Sequence, residues 1–153
     1  MTRDTEPGAL RKPNLNPVKA PRAQLPLDHE LVLKITPMPA DANANGDIFG
    51  GWVMAQVDIA GSILPARFAQ GRMATVAVNQ FVFKQPVRVG DLLSLYAKMV
   101  RFGRTSMTVN VEAYAERIRN QGHYIKVTEA TLTYVAIDDN GRPRPLPRIP
   151  DPD

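Results

Sequence analysis

Residues 43–68 constrain the fold of this chain more than any other stretch. A polar turn, Asn43-Ala44-Asn45-Gly46-Asp47, runs without a break into an apolar segment that continues to Leu64. Apolar side chains recur at Ile48, Trp52, Ala55, Ile59 and Ile63, and again at Phe49, Val53, Val57, Ala60 and Leu64. Helical spacing on nearly every face predicts a helix buried in the middle of the fold. Two carboxylates interrupt the pattern. Asp47 falls where an N-cap is expected, and a side-chain oxygen there would satisfy a free helix amide. Asp58 falls inside the run, where an unpaired buried charge is costly and calls for a partner or a pKa shift.

Gly50-Gly51 in the first turn is a second anomaly, because each glycine costs a helix about 1 kcal/mol relative to alanine. Two explanations fit. A ligand could approach the bare amides at the positive end of the helix dipole, or the helix could pack closely against a sheet. Gly61 favours packing further along. Pro65 disturbs the final turns and Gly71 ends the segment.

The rest of the chain reads as strands. Leu27 to Thr36, Met73 to Phe83, Leu92 to Phe102, Thr105 to Arg119 and Lys126 to Ile137 alternate apolar and polar residues. Lys84 to Asp91 is a loop with a tight turn at Gly90-Asp91, and Gly103-Arg104 turns the next pair. One strand, one long helix and about four strands joined by hairpins predict an α+β fold, an antiparallel sheet curled around a central helix. Residues 1–26 carry five prolines and a net charge of +3 with no hydrophobic period, and read as a disordered or loosely docked arm. Residues 27–137 form the domain. The Pro-rich tail, 138–153, can continue neither a sheet nor a helix.

Charge and composition narrow the function. The formal charge is +4, but much of it lies in the arm, which weakens any case for a nucleic-acid surface on the fold. No run approaches the ~20 apolar residues of a membrane span. The N-terminus lacks a signal-peptide core and there is no cysteine, which fits a cytoplasmic protein. There is no Gly-x-Ser-x-Gly elbow, and His29 and His123 sit in no metal-binding spacing. The expectation is chemistry without a metal or added cofactor.

The stretch Ala44-Asn45-Gly46-Asp47-Ile48-Phe49-Gly50-Gly51-Trp52 resembles the signature of YciA-type acyl-CoA thioesterases of the hotdog fold. Thr75-Val76-Ala77-Val78, Pro86-Val87, Gly90-Asp91, Arg104-Thr105-Ser106 and Thr128-Glu129-Ala130 follow at matching intervals, so the likeness covers roughly residues 28 to 147. The resemblance implies hydrolysis of acyl-coenzyme A. It implies a dimer with sheets joined edge to edge and active sites at the seam, commonly assembled as a trimer of dimers. It places the catalytic acid at Asp47 and the oxyanion amides at Gly50 and Gly51. In related two-domain enzymes the counterpart of Asp58 reaches the site from the partner helix. Asn45, Lys84, Arg88, Arg104, Thr105 and Ser106 become candidates for contact with coenzyme A, whose phosphates call for cations at the mouth of the site.

Chemically, a thioester hydrolase needs an activated water or a nucleophile, and donors for the oxyanion. A carboxylate can serve as base or nucleophile, and helix N-terminal amides can serve as donors. An acyl-CoA sensor that binds without hydrolysis is the alternative, although it would have no use for a base. A hotdog dehydratase usually employs a histidine where this chain has Asp47.

Overall fold

The computed structural model describes residues 22–147 of the chain. Strand β1 (Glu30–Ile35) leads through a short 3-10 turn, Pro39–Asp41, to helix α1 (Gly50–Ala69). Strands β2 (Met73–Phe83), β3 (Leu92–Phe102), β4 (Ser106–Glu116) and β5 (Tyr124–Ala136) follow. All pairings are antiparallel, in the order β1-β3-β4-β5-β2. The α+β architecture is the expected one. One connection differs: β2 and β3 are not a hairpin, since β4 and β5 separate them, and residues 84–91 carry the chain across the sheet. Edge strand β2 bonds to β5 on one side and leaves its other edge free among the described residues.

α1 lies on one face of the sheet. Val53, Val57, Ala60 and Leu64 pack against Leu93 and Leu95 of β3, Val109 and Val111 of β4, and Leu132 and Tyr134 of β5. Small residues at Ala97, Ala113, Ala130 and Ala136 keep the sheet surface low beneath it. Gly61 marks the closest approach. A Cβ there would lie 2.7 Å from Tyr134 Oη, so the packing reading of this glycine holds.

Three expectations need correction. α1 is not covered on every side in a single chain, because Phe49, Met54, Ile59 and Ile63 are exposed on the face turned away from the sheet. Asp47 is not the N-cap: the helix starts at Gly50, its cap residue is Phe49, and no side chain caps it. The helix runs on through Pro65 to Ala69 and is ended by Gln70 in a left-handed conformation, not by Gly71.

The two ends of the chain are better docked than their composition suggests, as far as they are described. Most of the N-terminal arm, residues 1–21, lies outside the described residues. From residue 22 the chain crosses the sheet face opposite the helix. Ala23 N–H donates to the Tyr124 carbonyl at 2.7 Å, Lys98 Nζ to Asp28 Oδ2 at 2.7 Å, and His29 Nε2 meets Asn110 Oδ1 at 2.8 Å. At the other end, Leu146 is buried and Arg144 holds the C-terminus of α1. Its guanidinium donates to the carbonyls of Ala69 at 2.8 Å and Ile137 at 2.9 Å. Residues 138–147 form no regular strand or helix but are part of the packed domain.

Candidate active site

The turn before α1 is built on Asn43. Its Oδ1 accepts the N–H groups of Asn45 at 2.9 Å and Asp47 at 3.2 Å, and its own N–H donates to the Asp47 carbonyl at 2.7 Å. Asn43 was not among the expected site residues, although the Asx-turn chemistry of an Asn in a polar turn is a usable signal. The backbone of Asp47 then pairs with that of Arg88 in an antiparallel β-bridge, in which Ile48 N–H donates to the Val87 carbonyl at 2.8 Å. These bonds take up the backbone of residues 47 and 48 and delay the helix to Gly50. Asp47 therefore sits in an extended segment just ahead of the helix, with its carboxylate accepting no hydrogen bond among the described residues.

At the helix start, Trp52 and Val53 donate to the Phe49 carbonyl, while the N–H groups of Gly50 and Gly51 have no acceptor among the described residues. The packing explanation accounts for the first glycine of the pair. A Cβ on Gly50 would lie 3.2 Å from Phe83 Cζ, so Gly50 allows β2 to close against the helix. Gly51 is exposed, and a Cβ there would meet nothing within 4 Å, so packing gives no reason for the second glycine. Beside them lies a cleft of about 330 Å³ lined by Gly50, Val53, Phe83, Lys84, Gln85 and Val87, among others. Its wall is the crossover loop after β2. The sequence had pointed to Lys84 but not to Phe83, whose ring position depends on the pairing of β2.

Asp58 lies elsewhere. Its Oδ1 accepts hydrogen bonds from Thr75 Oγ1 at 2.8 Å and Tyr134 Oη at 2.8 Å. The same Tyr134 hydroxyl is 2.7 Å from the Asp58 carbonyl, so one proton is shared between two acceptors. Burial, and then the bond to Asp58, push the Tyr134 hydroxyl far above its ordinary pKa and keep it a donor. These two hydroxyls are the partners that an acid in an apolar run requires. Thr75 stood in a recognised motif, but nothing local marked Tyr134. A smaller cleft, about 180 Å³, opens beside Asp58, Ile59, Ser62, Met73, Thr75 and Tyr134.

The turn at Arg104, Thr105 and Ser106 belongs to this second end. The Thr105 carbonyl accepts Ala136 N–H at 2.9 Å, and the Arg104 carbonyl accepts Leu146 N–H at 2.9 Å. Ser106 pairs with Val135, next to Tyr134, whereas Phe83 pairs with Thr128 at the other end of β5. The separation along β5 is roughly 23 Å at ~3.3 Å per residue. Within one chain the candidates thus form two groups: Asn45, Asp47, Gly50, Gly51, Lys84 and Arg88 at the start of α1, and Asp58, Arg104, Thr105 and Ser106 at the far end. Inside a single chain the Arg104 turn and the Lys84–Arg88 loop lie apart. Arg88 exposes its side chain, while its backbone N–H is tied to Asp91 Oδ2 at 2.9 Å. Among the described residues no group of three or more His, Cys, Asp or Glu could hold a metal ion, and no helix is long and apolar enough to cross a membrane.

One long helix seated on a five-stranded antiparallel sheet is the hotdog arrangement. Comparison with known proteins agrees. The thioesterase superfamily profile matches residues 45–121. The acyl-CoA thioester hydrolase YciA of Salmonella typhimurium is 50% identical over 120 residues, which is 77% of this chain and 90% of the relative. A hexameric thioesterase from Yersinia pestis superposes with a TM-score of 0.75 at 49% identity, covering 81% of this chain and 99% of that one. A hexameric hotdog fold thioesterase of Campylobacter jejuni gives 0.71 at 43% identity, over 76% of this chain and 90% of that one. The chain belongs to the thioesterase superfamily, among its YciA-type hotdog members.

Proposed function

We propose that the protein hydrolyses acyl-coenzyme A to a free acid and coenzyme A, in active sites that two copies of the chain complete together. The single observation that carries this reading is the division of the candidate residues into two separate groups within one chain. Asp58 lies eight residues beyond Gly50 in α1, about 12 Å along the axis at 1.5 Å per residue, so one helix cannot present both to the same carbonyl. A twofold axis beside α1 resolves the separation. It sets the helices antiparallel, covers the apolar Phe49, Met54, Ile59 and Ile63 face, and lets the free edges of two β2 strands meet. The start of one helix then faces Asp58 and the Arg104 turn of the other. The hexameric assembly of the Yersinia and Campylobacter enzymes supports further association of such dimers as a trimer of dimers.

In this site the acyl carbonyl rests against the free amides of Gly50 and Gly51, which stabilise the oxyanion as it forms. Asp47 supplies the carboxylate. Acting as a base, it takes a proton from water, the water oxygen bonds to the carbonyl carbon, and the C–S bond breaks. The proton then passes to the departing thiolate. Acting as a nucleophile, Asp47 would bond to the carbonyl carbon and expel the thiolate, and water would open the resulting anhydride and pass its proton to the thiolate. Attack of that water at the Asp47 carboxyl carbon in a single turnover in 18O-water would leave label in the protein. Asp58, held by Thr75 and Tyr134, orients the water or the carbonyl. Lys84, Arg88 and Arg104 supply positive charge for the phosphates, with Asn45, Thr105 and Ser106 as polar contacts. The reaction uses the chain's own groups and water.

The test is subunit mixing. Asp47→Ala and Asp58→Ala should each release little thiol from acyl-CoA. After verified subunit exchange at equal ratio, about half the dimers are mixed and half of their sites carry both acids, so roughly a quarter of wild-type activity returns. No return of activity would refute the shared site. A wild-type protein that binds acyl-CoA and releases no thiol would be the non-hydrolytic sensor.

A further inference from the structure

Asp91 and Arg117 belong to no part of the proposed chemistry, yet they form the most buried ion pair among the described residues. Asp91 follows the Gly90 turn ahead of β3 and is 2% exposed. Its Oδ2 is paired with Arg117 Nη1 and also accepts the Arg88 backbone N–H at 2.9 Å. The Asp91 N–H returns to the Arg88 carbonyl at 3.1 Å. Arg117, just past β4, has a second bond: its Nη2 donates to the Pro86 carbonyl at 3.0 Å. The planar guanidinium therefore joins the Asp91 carboxylate to the loop backbone at Pro86, a fork geometry that lysine cannot reproduce.

What this clamp holds is the wall of the cleft. Pro86 and Val87 line the cleft beside Gly50. Val87 is buried, and its carbonyl accepts the Ile48 N–H at 2.8 Å. Arg88 is the backbone β-bridge partner of Asp47. An unbroken path of bonded groups runs from Arg117 and Asp91 through Pro86, Val87 and Arg88 to Asp47 and the first turn of α1. Neither Asp91 nor Arg117 lines the cleft. A buried ion pair is a weak stabiliser compared with an apolar pair of the same volume, because desolvation offsets the attraction. Its distinctive contribution is fixed geometry, and here the geometry is that of the segment bearing the candidate catalytic acid.

We infer that the Asp91–Arg117 pair is a positioning device for Asp47, holding the 86–88 loop so that the carboxylate and the Gly50 and Gly51 amides keep their relative placement. This rests on the reading of Asp47 as the catalytic carboxylate. Arg117 and Asp91 act through the loop and touch no reacting atom.

The experiment uses the full chain and separates kcat from KM. Arg117→Ala, Arg117→Lys and Asp91→Asn are assayed for thiol release from an acyl-CoA, at a temperature where thermal unfolding and size measurements show each variant folded and assembled as wild type. Misplacing a reacting group by about 1 Å costs on the order of 100-fold, so Arg117→Ala should lose kcat on that scale with KM changed by less than about threefold. Arg117→Lys restores the charge but not the fork and should remain well below wild type. Millimolar guanidinium should recover part of the activity of Arg117→Ala and leave wild type and Asp47→Ala unaffected. If Arg117→Ala does not fold, Arg117→Lys and Asp91→Asn carry the same kcat and KM comparison. Folded variants with wild-type kcat, or losses that only track the unfolded fraction, would overturn the inference. If Asp47→Ala retains wild-type kcat, the catalytic reading itself falls, and the inference falls with it.

Discussion

Gly61→Ala should destabilise the wild-type protein yet stabilise a Tyr134→Phe background. A Cβ on Gly61 would lie 2.7 Å from Tyr134 Oη, whereas the next nearest atoms, Leu132 Cδ1 and Val111 Cγ2, are at 3.4 Å. The hydroxyl is the one atom in the way, and it is held by its bonds to Asp58. Forcing an extra carbon into such a site costs about 1–3 kcal/mol. Replacing a mid-helix glycine by alanine returns about 1 kcal/mol, which leaves a net loss of about 1 kcal/mol in wild type. Tyr134→Phe alone removes the shared hydrogen bond for about 1.5 kcal/mol, the lower end for a bond to a charged group, because water can reach partly exposed Asp58. With the hydroxyl gone, the new methyl meets only ordinary contacts, and Gly61→Ala should then gain up to about 1 kcal/mol. The coupling between the two sites is therefore about 2 kcal/mol, well above the ~0.5 kcal/mol scatter of independent mutations. Urea unfolding of the four proteins, followed by Trp52 fluorescence at one protein concentration, measures the cycle. A loss of the same size in both backgrounds would refute the idea that the Tyr134 hydroxyl sets how closely α1 approaches the sheet.

Arg104→Ala should raise KM for acyl-CoA with little change in kcat, because a phosphate contact serves ground state and transition state alike; a collapse of kcat at constant KM would place Arg104 in the chemical step instead. The seating of residues 22–29 should depend on acid. The hydrogen bond from Lys98, then that from His29, pulls the Asp28 carboxyl down to about 2. A lowered folded-state pKa means that its contribution is fully present above the ordinary carboxylate range near 3.8 and is lost as pH falls through about 2. NMR titration of the Asp28 carboxyl checks the midpoint, and amide protection of Ala23 reports the seating. An ordinary midpoint, or Ala23 protection unchanged in Asp28→Asn at pH 6, would show that the Lys98 contact does not hold this segment.

Much of the fold could be read from periodicity alone. Alternation located all five strands to within a few residues, and the apolar run with its glycine end located α1, because burial on one face of a strand or along a helix imprints a local period. Gly61 could be read as a packing glycine for the same reason. Asp47, Gly50 and Gly51 stood out as candidates because they stand in one contiguous signature, whereas Lys84 was suggested only by the likeness to a family. Pairing order, caps and partners were not legible. The alternation of β2 says nothing about whether it lies beside β3 or β5, since both pairings satisfy the same pattern. Asp47 looked like an N-cap because Asp before an apolar run usually is one. The bond from Ile48 N–H to the Val87 carbonyl and the backbone pairing of Asp47 with Arg88, about forty residues away in sequence, moved the helix start instead. The uniform apolarity of α1 implied cover on every side without saying what supplies it, and one chain covers only the side against the sheet. Asp58 was recognisable as an anomaly, but Thr75 and Tyr134 reach it from distant strands. The Arg117 clamp joins residues 26 positions apart, and no local pattern links Arg117 to Asp91. A local sequence records the environment each residue needs. Which distant residue provides that environment is decided only when hydrogen-bond geometry and side-chain volume are satisfied across the whole sheet.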